Sequence, residues 1–296
     1  MADIGSLKPS HKVLVYGDYG CGKTTFATVS LIEYLRDVCK LTPDKVRIGL
    51  IDNDGGIAEL IEGGVIDPAW HQSFIYHMVS DWPALVKATN ETLPALKAWQ
   101  AKNGPNSAWL VVDNVHASWV WCRNDFALNT YGTTEFELAE QKRQEAIAQN
   151  KKMLPTFSMG PDWGVIGPKH NAWADPIKLS GVNFIFTAPE SNFTMKDKET
   201  QQDVTTIKAK GQGENDGRVS HLIRVYTETN GEVVTYLADL EKNRGGDKMF
   251  KRMPNPSFKR FRLWVEQNSP SARAAKAAAT STPPPQTPPK VEVKPQ

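Results

Sequence analysis

Residues 15–27 read VYGDYGCGKTTFA, a short strand-like run that passes through glycine-rich text into a lysine, two threonines and the start of an apolar, helix-favouring stretch. Residues 17–24 fill every position of G-x-x-x-x-G-K-[ST], and a strand before with a helix after is the context that gives this pattern its meaning. Gly17, Gly20 and Gly22 let the chain turn so that main-chain N–H groups converge on phosphate oxygens. The cradle runs from Gly17 through Asp18, Tyr19, Gly20, Cys21, Gly22 and Lys23 to Thr24 and Thr25, where the helix N-terminus adds partial positive charge. Lys23 is placed to reach the β- and γ-phosphates, and the Thr24 hydroxyl to bind Mg²⁺. In the helix that follows, Ala27, Leu31, Leu35 and Val38 recur at helical spacing and form a core-facing stripe. Cys21 reads as a small loop residue, not a redox switch.

The chain has 296 residues, of which 40% are hydrophobic, enough for one ordinary α/β core. Its net charge is +2, but from Ser271 onward Arg273, Lys276, Lys290 and Lys294 stand against Glu292 alone, which leaves the body at −1. That balance argues against a surface dedicated to constitutive duplex-DNA binding, which needs many phosphate-neutralising side chains. Cys21, Cys39 and Cys122 are odd in number and lack metal-ligand spacing, so neither a disulfide framework nor a zinc site is expected. No segment approaches the ~20 apolar residues of a membrane span, and no secretory h-region opens the chain. The expectation is a cytoplasmic protein.

Apolar runs alternate with helical patterns. KVLVYG, VRIGLID, SFIYHM, AWLVVD and VNFIFTA read as strands, and residues 24–39, 82–100, 135–153 and 169–179 as helices. Pro94 predicts a break or kink in the second of these helices. Short buried strands separated by helices predict a mainly parallel sheet flanked by helices. After residue 188 the rhythm changes to strands alone, and Asn230-Gly231 between two alternating runs predicts a C-terminal β-hairpin extension. MLPTFSMGPDWGVIGPKH predicts an irregular surface excursion. The Pro- and Ala-rich text at the end predicts a disordered tail. The expected organisation is an N-terminal extension over 1–10, one α/β domain over 11–268 and the tail over 269–296.

AWLVVD sets Asp113 at a strand tip, where a carboxylate holds Mg²⁺ opposite the loop threonine. His116, soon after, reads as a packed or solvated residue. From IGLIDNDGGIAEL onward the chain resembles the RecA superfamily of P-loop ATPases, and the order of elements over residues 12–250 is similar to that family's. The resemblance implies ATP with Mg²⁺ as the ligand. It implies that Asp54, or next to it Asp52, orients the attacking water, although NDGG is also good turn chemistry. It sets Thr187, at the end of VNFIFTA, nearest a polar sensor of the γ-phosphate, where the family has Asn or Gln. In YLADLEKNRGGDKMF, Lys242 and Arg244 match basic residues that reach the neighbouring subunit's nucleotide, with a solvated basic turn as the plain alternative. The resemblance thus implies a homo-oligomer, filament or ring, with active sites completed in trans. The DNDGG and EKNRGG texts look most like phage-type RecA-like ATPases of single-strand annealing and recombination, which implies single-stranded DNA as a partner.

In that family the strand is bound by loops corresponding to residues 189–217. Here Lys196, Lys198, Lys208 and Lys210 accompany Phe193, a combination of tracking charge and aromatic platform, diluted by acidic residues into what could also be a solvated hairpin. Trp119, Trp121, Phe126, Trp163 and Trp173 read first as core and second as a stacking or subunit surface. A GTPase is disfavoured because no N-K-x-D follows a late strand, and a small-molecule kinase because few arginines stand where a lid could lie. A nucleotide-gated assembly protein with negligible hydrolysis stays open. The Pro-rich end could recruit a protein by polyproline recognition or serve as an inert tail.

Overall fold

The computed structural model describes residues 10–196, 202–213, 215–244, 248–269 and 272. The expected N-terminal extension, the tail and Lys198 lie almost wholly or wholly outside the described residues. Lys12–Gly17 (β1) is buried along all but its first residue because it pairs on both sides, with Asn183–Lys196 (β5) and His221–Asn230 (β7), both parallel to it. Arg47–Asp52 (β2), Phe74–Met78 (β3) and Ala108–Asp113 (β4) continue the parallel sheet beyond β5. Val233–Asn243 (β8) and Met253–Pro254 (β9) add antiparallel strands at the other side, giving the order β3-β2-β4-β5-β1-β7-β8-β9. Asp203–Ala209 (β6) leaves this path and pairs antiparallel with the outer half of β5. The expected mainly parallel α/β architecture is the observed one.

Alternation along β1 divides the core. Leu14 and Tyr16 face helices Trp82–Asn103 (α4), Val115–Tyr131 (α5) and Trp163–Leu179 (α7), whereas Val13 and Val15 face Lys23–Ala27 (α1), Val29–Asp37 (α2) and Phe258–Gln267 (α9). The helix expected over 24–39 is thus two, parted at Thr28, whose hydroxyl donates to the Thr24 carbonyl at 2.7 Å. Glu135–Ala148 (α6) ends before the expected 153, and α5 joins the list of helices that periodicity had not delimited. The C-terminal hairpin is present, but its two-residue turn is Gly231–Glu232, with Asn230 already paired to Val233. The tryptophans serve packing: Trp173 is buried, and Trp119, Trp121 and Trp163 lie against the same core.

Two helix breaks expected from proline do not occur, for one reason. Pro94 does not break α4, and α7 starts at Trp163 although it contains Pro168 and Pro176, so the irregular excursion is confined to residues 149–162. A helical proline strands the carbonyl four residues earlier. Those residues are Asn90, Gly164 and Ala172, and each lies exposed, as do the three prolines, so water can take the orphaned acceptors. The stripes Leu85, Thr89, Leu93, Leu96 and Ile166, His170, Trp173, Ile177 meanwhile stay buried. Among the described residues no helix is long and apolar enough to cross a membrane.

Pro94→Ala is expected to stabilise the protein by about 1–3 kcal/mol in urea unfolding, since it restores an N–H donor in a helix that already exists. Gly49→Ala is expected to cost about 1–3 kcal/mol in the same assay, because a Cβ there would lie 2.3 Å from Thr92 Cγ2 and overpack β2 against α4.

Candidate functional site

The glycine loop follows β1 where β7 passes closest. A Cβ on Gly17 would sit 1.9 Å from the Val225 carbonyl oxygen and 2.8 Å from Cys21 Sγ, so only glycine fits. Gly20 and Gly22 have φ of 72° and 87°, and nothing lies within 4 Å of where their Cβ atoms would be. The turn therefore needs glycine by conformation and leaves open space beside it for a ligand. Lys23 Nζ donates to the Asp18 carbonyl at 2.6 Å and lies 5.8 Å from the centre of the exposed Tyr19 ring. Cys21 is buried and its thiol is pushed up by burial, which suits the small-residue reading.

Thr24 Oγ1 donates to Asp113 Oδ2 at 2.6 Å. Asp113 ends β4, whereas Thr24 starts the helix after β1, and β5 runs between β1 and β4. The two side chains meet beside β5, and β5 contributes Thr187, whose hydroxyl donates to the other Asp113 oxygen. Asp113 is 2% exposed and its carboxyl is pushed up to about 6, chiefly by burial, with the hydrogen bonds from Thr187 and Thr24 opposing and the charges of Asp54 and Asp52 adding to the rise. One hydroxyl and one carboxylate oxygen beside an open phosphate cradle are hard donors that fit Mg²⁺. Among the described residues no group of three or more metal-ligating side chains gathers anywhere, so an ion held here would draw its other ligands from phosphate and water.

The two acidic candidates after β2 divide cleanly. Asp52 is fully buried and accepts the N–H groups of Gly55 at 3.0 Å, Ile57 at 3.1 Å and Ala58 at 3.0 Å, together with the Tyr76 hydroxyl at 3.2 Å. Those bonds anchor the start of Gly56–Glu62 (α3), and Asp52 is a structural residue. Asp54 lies closer to Thr24: its Oδ1 and Thr24 Oγ1 flank the same small space above Gly56, at 3.3 and 3.4 Å from that residue's ideal Cβ position. Its Oδ1 accepts the Gly56 N–H at 3.2 Å, and Asn114 Nδ2 reaches Oδ2 at 3.5 Å.

Lys242 and Arg244 stand apart from this group. Arg244 N–H bonds the Ser220 carbonyl, whose own N–H bonds the Lys12 carbonyl, so Arg244 is level with the start of β1, roughly 17 Å along the strand from Gly17. Neither residue reaches the loop of its own subunit. His116, set aside on sequence grounds, is held near 4 by burial and by Lys210 and Arg123.

Two features escaped sequence reasoning. Thr187 supports Asp113, a role readable only from the register that sets Val112 beside Phe186. A cleft of about 490 Å³ adjoins Gly20 and Gly22, walled by Thr25, Val29, Val225, Tyr236 and Pro256. Its walls come from segments far apart in the chain, residues 20–33 and 225–257, and no local pattern signals it.

No family model matches the chain, and no curated protein matches it. Solved structures similar to it include a KaiC-like protein from the hyperthermophilic archaeon Pyrococcus horikoshii OT3, at 12% identity over 84% of this chain and 87% of that one, with a TM-score of 0.44. Another is the RadB recombinase, at 18% identity over 82% and 87%, with a TM-score of 0.40.

The raised pKa of Asp113 has a definite sign. Burial favours the protonated carboxyl, so its contribution to folding is present below the ordinary carboxylate range and is lost as pH rises through about 6. Mg²⁺ needs the ionised form, so Mg²⁺-dependent nucleotide affinity, measured by calorimetry, is expected to fall as pH drops below about 6. Thr187→Val is expected to move that midpoint to higher pH, and Asp113→Asn to abolish both the Mg²⁺ effect and its pH dependence.

Proposed function

We propose that the protein is a Mg²⁺-dependent RecA-like ATPase that oligomerises and acts on single-stranded DNA in recombination, annealing or repair. The observation that carries the ATPase reading is the meeting of Thr24 with Asp113 across β5, beside a loop whose glycines leave a phosphate-sized opening. Lys23 neutralises phosphate charge, Thr24 and Asp113 hold Mg²⁺, and Asp54 orients water on the side facing Thr24. The main-chain amides of residues 18–25 orient the phosphates, and the cleft against Tyr236 and Pro256 takes base and sugar, for which its volume suffices. Mg²⁺ would supply charge neutralisation at the transferring phosphoryl group.

Charge polarity along the sheet supports assembly. Asp18, Asp52, Asp54 and Asp113 gather at the loop end. Lys12, Lys178, Lys242 and Arg244 gather at the foot, close enough that Lys12, already lowered by burial, is lowered further by Lys178 and Arg244. Head-to-tail stacking of copies would bring the basic foot of one over the acidic top of the next, with Lys242 and Arg244 entering the neighbour's site. For DNA, the support is the β5–β6 hairpin, where Lys208 Nζ lies 4.7 Å over the half-exposed Phe193 ring. Charge and stacking platform coincide there, worth ~1–3 kcal/mol per stacked base. The hairpin is an extension of the strand that carries Thr187, so ligand at Asp113 and contact at Phe193 act on one rigid element.

ATP turnover measured across protein concentration, with and without single-stranded DNA, tests this reading. The expected result is DNA stimulation with a steeper-than-linear dependence on concentration. Lys23→Ala and Arg244→Gln are each expected to lower turnover ~10³-fold or more, and their mixture to regain activity, because each subunit supplies what its neighbour lacks. Phosphate transfer to a small acceptor would instead indicate a kinase, and binding without turnover an assembly protein in which Asp54 is a turn residue.

A further inference from the structure

At the foot of the sheet, opposite the glycine loop, a cavity of about 710 Å³ opens between α9 and the starts of β1 and β7. Its wall includes His11, Ser220, His221, Arg244, Arg262 and Glu266. Two arginines there face one carboxylate, and that carboxylate is weakly held: Glu266 Oε1 is 3.4 Å from Arg262 Nη2 and 3.5 Å from the Tyr34 hydroxyl, with its side chain 47% exposed. Behind Arg244 stand Lys12, Lys178 and Lys242. Lys242, lowered first by burial, is lowered again by Arg244 and Lys178, with Asp216 opposing.

An unpaired polar atom lies in the same wall: Arg262 is 7% exposed and its Nε has no hydrogen-bond partner, while the buried His221 ring, 6% exposed, has the Asn243 side chain beside it. A buried donor is rarely left so, because an unmet hydrogen bond in a low-dielectric wall is costly. Burial and Arg262 hold His221 near 4 and His11 well below its ordinary value, so both rings are neutral at pH 7 and each keeps one N–H. A surplus of positive charge, two guanidinium forks and an unmet Arg262 N–H around one open space match the geometry and charge of a tetrahedral oxyanion.

We infer that this cavity binds a phosphate-type dianion, either free or as the terminal phosphate of a small molecule, without help from the glycine loop of the same chain, and that the anion competes with the proposed entry of Arg244 into a neighbour's site. Arg262 and Arg244 supply the charge-assisted hydrogen bonds, and His221 with Ser220 completes the set. The ligand displaces Glu266 from Arg262.

The test is NMR of the imidazole resonances in the full chain carrying Lys23→Ala, which removes the loop's grip on phosphate and separates the outcome from the ATPase reading. Titration with inorganic phosphate, and in a second arm with glycerol phosphate, is expected to shift His11 and His221 saturably and to leave His116 and His170 unmoved. Saturation by phosphate alone assigns a free ion, and saturation by both assigns the terminal phosphate of a small molecule. Arg262→Gln is expected to weaken binding about tenfold or more. Should that variant fail to fold, Arg244→Gln, at the cavity rim, is expected to do the same. Non-saturable shifts, equal shifts at His116, or undiminished affinity in the variant that folds would overturn the inference.

Discussion

One buried carboxylate ties the upper end of this molecule together. Asp113, at the end of β4, accepts a hydrogen bond from Thr24 at the start of α1 and another from Thr187 of β5, so two strands and the helix after the glycine loop converge on its two oxygens. Burial makes the ionised form expensive, and the two hydroxyls only partly offset that cost. A group held in that state gains most from a cation placed against it. The site is thereby matched to Mg²⁺ in a way that a solvated aspartate at a strand tip would not be.

The interposition of β5 has a mechanical consequence. Because β5 lies between β1 and β4, the strand that passes beside the Asp113 oxygens also runs out into the β5–β6 hairpin, bearing Phe193 and the lysines. A shift of Thr187 is a shift of that hairpin's root.

The same parallel sheet gives the molecule two unlike ends. Strand tips carry the aspartates and the glycine loop, and strand starts carry the lysines and arginines together with the buried histidines. The separation follows from topology: β8 runs antiparallel to its neighbour, so Lys242 near its end and Arg244 just past it return to the level where β1 begins. Like charges gathered at one end raise its free energy, and an anion or an acidic surface placed there relieves it.

Much of this was legible in the residues themselves. The conformation of the glycine loop could be read because its requirements are local: glycine where φ is positive, lysine and threonine at a helix start, and a strand before them. Asp113 and the alternation of buried strands with helices were legible for the same reason, since burial leaves a direct trace in apolar runs. Tertiary structure decided the rest. Pro94, Pro168 and Pro176 are tolerated inside helices because the fold turns them and the carbonyls they orphan toward water, and the face a residue presents is not a property of its own segment. Asp52 and Asp54 are two letters apart, yet one is consumed by the start of α3 and the other flanks Thr24. The support of Asp113 by Thr187, the cleft against Tyr236 and the crowded cations at the foot arise where distant segments meet. A chain read in order carries no record of such distances, and only the packed sheet sets them.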